Sequence, residues 1–130
     1  MSLLSVIVPC YNEEDSVALF YQELMKNDSF FRQNEIEVEL LYIDDGSRDA
    51  TVTEVKKLIA EDERVHLVSF SRNFGKEAAM FAGLEKARGD YVVIMDVDLG
   101  HLPPMMPVVV GSYVEVSVEE NDIRIQMYRR

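Results

Sequence analysis

The sequence predicts an α/β fold, a mostly parallel sheet with helices on both faces, and three observations lead to it. Short apolar runs recur four times before residue 100, helical apolar stripes fall between them, and acids or turn residues follow the runs. Strands that alternate with helices need crossover connections, which are right-handed and lay helices on the faces of a parallel sheet. Ligands of such sheets bind beyond the carboxyl ends of the strands.

The first run is Val6, Ile7 and Val8, opened by Ser5 and closed by Pro9, and the second is Leu40, Leu41, Tyr42 and Ile43, opened by Glu39 and followed by Asp44, Asp45 and Gly46. Neither alternates apolar with polar, so both read as strands buried on two faces. Residues 65–69 and 91–95 are two more, short, rich in β-branched residues and bounded by polar turns. Between the strands, Val17, Phe20 and Leu24 share one helical face, Val52, Val55, Leu58 and Ile59 a second, and Ala79, Gly83 and Ala87 a third made of small side chains. The segment 27–37 reads as a polar loop. After Leu99 the pattern changes: Pro103 and Pro104 signal a loop, residues 105–110 suit a short helix or a strand, and 113–118 and 123–128 alternate like a hairpin around 119–122.

With 130 residues, 48% hydrophobic and 28% charged, the chain is expected to form a single domain spanning 1–130. No apolar stretch approaches the roughly 20 residues of a membrane span, so no transmembrane segment is expected. The opening residues lack the basic and apolar regions of a secretory signal, and the single cysteine, Cys10, excludes an internal disulfide framework; both suit the cytoplasm. A net charge of −11 argues against nucleic acid as a partner, because phosphate backbones are held by a surplus of Lys and Arg.

The acids carry the functional signal. Glu13, Glu14 and Asp15 follow the first strand, Asp44 and Asp45 end the second, and Asp96 and Asp98 end the fourth, so three acidic clusters converge on one rim of the sheet. Converging carboxylates are costly unless a cation or ligand donors compensate, and a divalent ion with oxygen ligands is the natural partner. If the fourth strand continues, its period of two turns Asp96 and Asp98 to the same side. Any one cluster is equally well explained as capping the helix that follows; three together favour a site.

Val6 to Glu14 with Pro9, Tyr11 and Asn12, then Asp44 to Asp49 with Gly46 and Ser47, then Ser71, Arg72, Asn73, Phe74, Gly75 and Lys76, then Gly89 to Leu99 with Asp96 and Asp98, resemble in order and spacing the N-terminal half of family 2 glycosyltransferases. The resemblance spans residues 3–99 and extends to the polyprenyl-phosphate glycosyltransferases, which include bactoprenol glucosyltransferases and dolichol-phosphate mannose synthases. It implies the Rossmann-like GT-A fold and a nucleotide-diphospho-sugar donor, with UDP preferred on the bactoprenol likeness. It assigns Pro9, Tyr11 and Glu13 to the border of base and ribose, Asp45 with Asp44 beside it to the base, and Asp96 and Asp98 to a Mn²⁺ or Mg²⁺ bridging the diphosphate, with Asp96 also within reach of the ribose. Lys76 would meet phosphate near a helix start, where N–H groups favour anions, or else stand as a solvated surface residue. Tyr11 has its own alternative as a rim aromatic over the sheet end. The run after Asp98 departs from the family: Gly100 replaces a side chain that can supply oxygen, which removes one possible metal ligand.

The implied reaction is inverting transfer of the sugar to a lipid phosphate, a polyprenyl phosphate, or another acceptor. A phosphate acceptor is already anionic, so positioning and leaving-group stabilisation replace a strong general base, and no catalytic residue is named. Only about 30 residues follow the Asp-x-Asp segment, which points to a domain shortened after the donor half, inactive alone although its full-length form works at the cytoplasmic face of a membrane. The alternative function is a non-catalytic nucleotide-sugar-binding or interaction domain. A phosphorylated receiver domain is disfavoured because the third strand ends in Ser69, Phe70 and Ser71 rather than an aspartate, and a dinucleotide enzyme because no glycine fingerprint follows the first strand.

Overall fold

The computed structural model describes residues 1–95 in full and, beyond them, three strands as backbone elements at 107–108, 112–119 and 122–129. The elements run β1 (Ser2–Cys10), α1 (Val17–Met25), α2 (Asp28–Gln33), β2 (Ile36–Asp44), α3 (Thr51–Glu61), β3 (Val65–Ser69), α4 (Lys76–Lys86), β4 (Tyr91–Ile94), β5 (Pro107–Val108), β6 (Ser112–Glu119) and β7 (Asp122–Arg129). Five strands form one sheet in the order β3-β2-β1-β4-β5. The first four are parallel, and β5 pairs antiparallel with β4. β6 and β7 form a separate antiparallel pair with Glu119 opposite Asp122.

The strand pleat sorts the core into two faces. Leu4, Val6, Val8 and Cys10 of β1 and Val38, Leu40 and Tyr42 of β2 share one buried cluster with Val17, Phe20 and Leu24 of α1, Phe31 of α2, and Val55 and Leu58 of α3. Phe20 meets Tyr42 edge to face at 6.4 Å, and the Tyr42 hydroxyl, buried with its ring, donates to the Val17 carbonyl at 2.8 Å. On the other face, Ile7, Leu41, Ile43 and Ile94 pack against Ala79 of α4. Small residues let α4 approach closely: a Cβ on Gly83 would fall 2.3 Å from Ile7 Cγ2.

Three local expectations are corrected. The segment 27–37 is not a loop but contains α2 and the start of β2, because Phe31 is 1% exposed and joins the core under β2. In α3 the inward stripe is Thr51, Val55 and Leu58, and Ile59 is exposed, one position off the buried face. The first two strands begin three residues early, since Ser2 pairs with Ile36 and Leu3 with Glu37.

Candidate donor site at the carboxyl ends of the strands

Parallel pairing brings the strand ends together. Cys10 lies opposite Asp44 and Asp44 opposite Ser69, while the Asp45 N–H donates to the Cys10 carbonyl at 2.9 Å and the Met95 N–H to the Ile7 carbonyl at 2.8 Å. Pro9, Asp44 and Asp45 therefore share one edge of the sheet. β4 delivers the chain to this edge at Met95; Asp96 and Asp98, the expected metal ligands, follow it in the sequence and lie outside the described residues, as does Gly100.

The loops after β1 and β2 are clipped together. The Asn12 N–H donates to Ser47 Oγ at 2.8 Å, and the Arg48 N–H returns a bond to Asn12 Oδ1 at 2.9 Å. The Glu13 N–H donates to Thr51 Oγ1 at 2.8 Å, the Glu14 N–H to Asp49 Oδ2 at 3.3 Å, and the Ala50 N–H to Glu14 Oε2 at 3.0 Å. Asp49 also accepts from the backbone and hydroxyl of Thr51. Glu14 and Asp49 thus act at the start of α3, where negative charge is favoured by the helix dipole.

Asp44 and Asp45 are buried, at 1% and 4% exposure. Asp44 accepts from the Ser47 N–H at 3.2 and 3.3 Å and from the Ser69 hydroxyl at 3.2 Å. Asp45 accepts from the Phe74 N–H at 2.8 Å and from the Gly75 N–H at 3.1 and 3.2 Å. Their burial is thus compensated by the protein's own donors, as buried charge requires. Among the described residues no group of three His, Cys, Asp or Glu side chains is placed to hold a metal ion. Asp96 and Asp98, expected to offer the hard oxygen donors that Mg²⁺ or Mn²⁺ takes, lie outside those residues.

A cavity of about 150 Å³ opens at this edge, lined by Pro9, Cys10, Tyr11, Glu13, Asp45, Lys76 and Ala79. Five of the expected donor residues, Pro9, Tyr11, Glu13, Asp45 and Lys76, are brought together here, and Asp44 lies in the neighbouring recess. That recess, about 280 Å³, is lined by Tyr11, Asp44, Gly46, Ser47, Arg48 and Arg72 among others. Tyr11 is 42% exposed and borders both spaces. Cys10 and Ala79 were not anticipated; each neighbours an expected element, the strand end for Cys10 and the first turn of α4 for Ala79. Burial, followed by the negative charges of Asp44 and Glu13, pushes the Cys10 thiol far above its ordinary range, so it is neutral in the cavity wall. Arg72 stacks its guanidinium 4.2 Å from the centre of the Phe74 ring, which meets Phe70 edge-on at 5.7 Å. His66 lies near the start of β3, away from this edge.

Residues 5–116 match the family described as "Glycosyl transferase family 2". The chain is 44% identical over 96 residues to the "Prophage bactoprenol glucosyl transferase homolog" of Escherichia coli (strain K12), covering 74% of this chain and 30% of that protein. It is 33% identical to the undecaprenyl-phosphate 4-deoxy-4-formamido-L-arabinose transferase of Pseudomonas fluorescens, covering 100% of this chain and 39% of that one. The chain spans about a third of the length of these relatives. Among solved structures it resembles the mannosyltransferase PcManGT from Pyrobaculum calidifontis in complex with GDP-Man and Mn²⁺, with a TM-score of 0.64 and 28% identity over 73% of this chain and 27% of that one. It also resembles S. aureus TarS 1-349 in complex with UDP, with a TM-score of 0.63 and 27% identity over 88% of this chain and 29% of that one.

Proposed function

The chain belongs to glycosyltransferase family 2 and has the GT-A architecture, and from that premise we propose that it binds a UDP-linked sugar in the cavity at the sheet's carboxyl edge. The observation that carries the reading is the gathering of Pro9, Tyr11, Glu13, Asp45 and Lys76 around one opening at that edge. Tyr11 offers an aromatic surface to the base, Glu13 an acceptor to the ribose, and Lys76, at the first residue of α4, a positive charge to the diphosphate. Asp44 backs the site from the neighbouring recess. Asp96 and Asp98 hold Mn²⁺ or Mg²⁺, whose chemistry when bound is to neutralise the departing nucleoside diphosphate.

The acceptor is a polyprenyl phosphate, a reading supported by the bactoprenol and undecaprenyl-phosphate relatives. Its phosphate oxygen attacks the anomeric carbon from the face opposite the nucleotide, the bond to the diphosphate breaks, and the configuration inverts. The attacking oxygen is already ionised, so the protein's task is alignment and exclusion of competing water. A lipid acceptor puts the working protein at the cytoplasmic face of a membrane; among the described residues no helix is long and apolar enough to cross one.

Isothermal calorimetry tests the donor site directly. UDP and UDP-glucose are expected to bind, more tightly than GDP, with affinity that falls when Mn²⁺ is chelated. Absence of binding to any of these nucleotides, with or without metal, would overturn the assignment; equal affinity after chelation would remove the metal from it.

A further inference from the structure

We propose that the outer face of α4 pairs with the same face of a second copy of this chain, the two helices lying antiparallel about a two-fold axis between Ala82 and Gly83. The inference does not depend on the donor-binding reading.

The composition of α4 is inverted for a helix lying on one face of a sheet. Its buried side is made of Ala79 and Gly83, the latter against Ile7 of β1, while its large side chains Phe81 and Leu84 are 63% and 38% exposed. From Ala78 to Leu84 no residue carries a polar side chain, so about two turns of the helix are apolar all round. A helix that is apolar on every side is one that is covered on every side. On the opposite face of the sheet, α3 shows the ordinary pattern: Thr53, Lys56, Lys57 and Glu61 stand exposed around Ile59.

Glu77, Phe81, Leu84 and Arg88 follow one another at steps of four, three and four residues, the spacing of a seam between two helices. All four are exposed. Arg88 stands two residues beyond the end of α4; its side chain is 78% exposed, and its Nε lies 3.8 Å from Glu39 Oε1, beyond hydrogen-bond distance. Turned end for end, this stripe complements itself. When Phe81 faces Leu84 of the second copy, Glu77 falls opposite Arg88 of that copy, and two-fold symmetry makes each contact twice. The antiparallel arrangement also sets the start of each helix dipole beside the end of the other. Glu77 and Glu85, which flank the apolar pair, oppose an anionic lipid surface as the occupant. One helix pair covers less than the roughly 1,200 Å² at which stable interfaces begin, so the dimer is weak, with a Kd on the order of 0.1 mM.

Sedimentation equilibrium of the whole chain tests this at physiological salt, where the net charge of −11 is screened beyond about 8 Å. The parent is expected to pass from monomer to dimer as its concentration rises to about 0.5 mM. Phe81→Glu should raise the Kd about tenfold or more and leave the urea midpoint nearly unchanged, because Phe81 is exposed in the single chain. The register has its own readout. Glu77→Cys and Arg88→Cys, mixed and oxidised, should give a disulfide-linked dimer that neither variant gives alone, since like positions stand about 16 Å apart along the antiparallel pair. The native Cys10 is buried and does not compete. A chain that stays monomeric at about 0.5 mM would overturn the proposal. So would a dimer that Phe81→Glu leaves intact, or cross-links as strong in the unmixed variants as in the mixture. A monomer that sediments with phospholipid vesicles through Phe81 would overturn it too, and would give this face to a membrane.

Discussion

At the amino end of the sheet, acids meet arginines: Asp62 and Asp28 contact the Arg64 guanidinium at 2.8 and 3.4 Å, and Glu39, 5% exposed, lies 3.8 Å from that of Arg88. At the carboxyl end, Asp44, Asp45, Asp49 and Glu14 are held instead by backbone N–H groups and hydroxyls. Both arrangements satisfy the carboxylates, but the Asp62–Arg64 pair also clasps the acid with a cation, whereas a backbone N–H or hydroxyl stabilises an anion without adding a charge of its own. In this sense the amino end is closed and the carboxyl edge open: there Lys76 lines the cavity with Glu13 and Asp45, and Arg48 and Arg72 line the recess with Asp44, so the edge presents charges of both signs to a nucleotide and its cation.

The strongest way to break this contrast is to remove the most buried acid of the closed end. Glu39 accepts from the Ser5 hydroxyl and from the Arg88 N–H at 2.8 Å, while the Gly89 N–H donates to Ser5 Oγ at 2.8 Å. Glu39→Ala strands the Ser5 hydroxyl and the Arg88 N–H, each worth about 1–3 kcal/mol when buried without a partner, and should lower stability by about 3 kcal/mol in urea unfolding. UDP affinity, measured where the variant is still folded, should not change. A large loss of affinity at full stability would show that the amino end also serves the site.

The converse substitution, Lys76→Ala at the open end, should weaken UDP about tenfold, or about 1.4 kcal/mol, with stability changed by less than about 0.5 kcal/mol. Unchanged affinity would return Lys76 to the solvated surface residue that its exposure also permits. A smaller effect is expected for Gly83→Ala, which leaves both ends alone and crowds the fully buried Ile7 from α4: overpacking should cost about 1 kcal/mol, with UDP affinity unmoved.

The sequence made the parallel sheet legible because its signals are periodic and local. Val17, Phe20 and Leu24 stand on one helical stripe, and all three are buried. α2 carries no such stripe: its six residues hold two adjacent phenylalanines, and what fixes the helix is Phe31 packing under β2, a contact that periodicity does not encode. The same divide runs through the site. That Pro9, Tyr11, Glu13 and Asp45 share an edge follows from each standing at or just after the end of a strand, and Lys76 from its motif. That Asp45 bonds Phe74 and Gly75 does not follow, because the donors are backbone N–H groups without a side-chain signature. Glu39 and Ser5 were read as the polar openings of two strands, and only the pleat of neighbouring strands turns them toward each other on one face.

The smallest expected effect tests whether pairing at the amino end depends on charge. Arg64 donates to both carboxylate oxygens of Asp62, Nε at 3.0 Å and Nη2 at 2.8 Å, and the Tyr21 hydroxyl donates at 2.6 Å. The Arg64 bonds hold the Asp62 carboxyl well below the usual range, against the opposing effect of partial burial. A carboxyl depressed in the folded state adds stability above its unfolded value, about 3.9, and loses it as pH falls through the lower folded value. Because Arg64 is 38% exposed, solvent screens the pair, and its contribution should stay under about 1 kcal/mol. Asp62→Asn should therefore lower the urea midpoint slightly at pH 7, with a gap that narrows between about pH 4 and pH 2 and closes once Asp62 is protonated in both states. A gap that stayed constant across this range would assign the effect to side-chain shape and hydrogen-bond geometry, and the charge-paired account of the amino end would lose its best-resolved example.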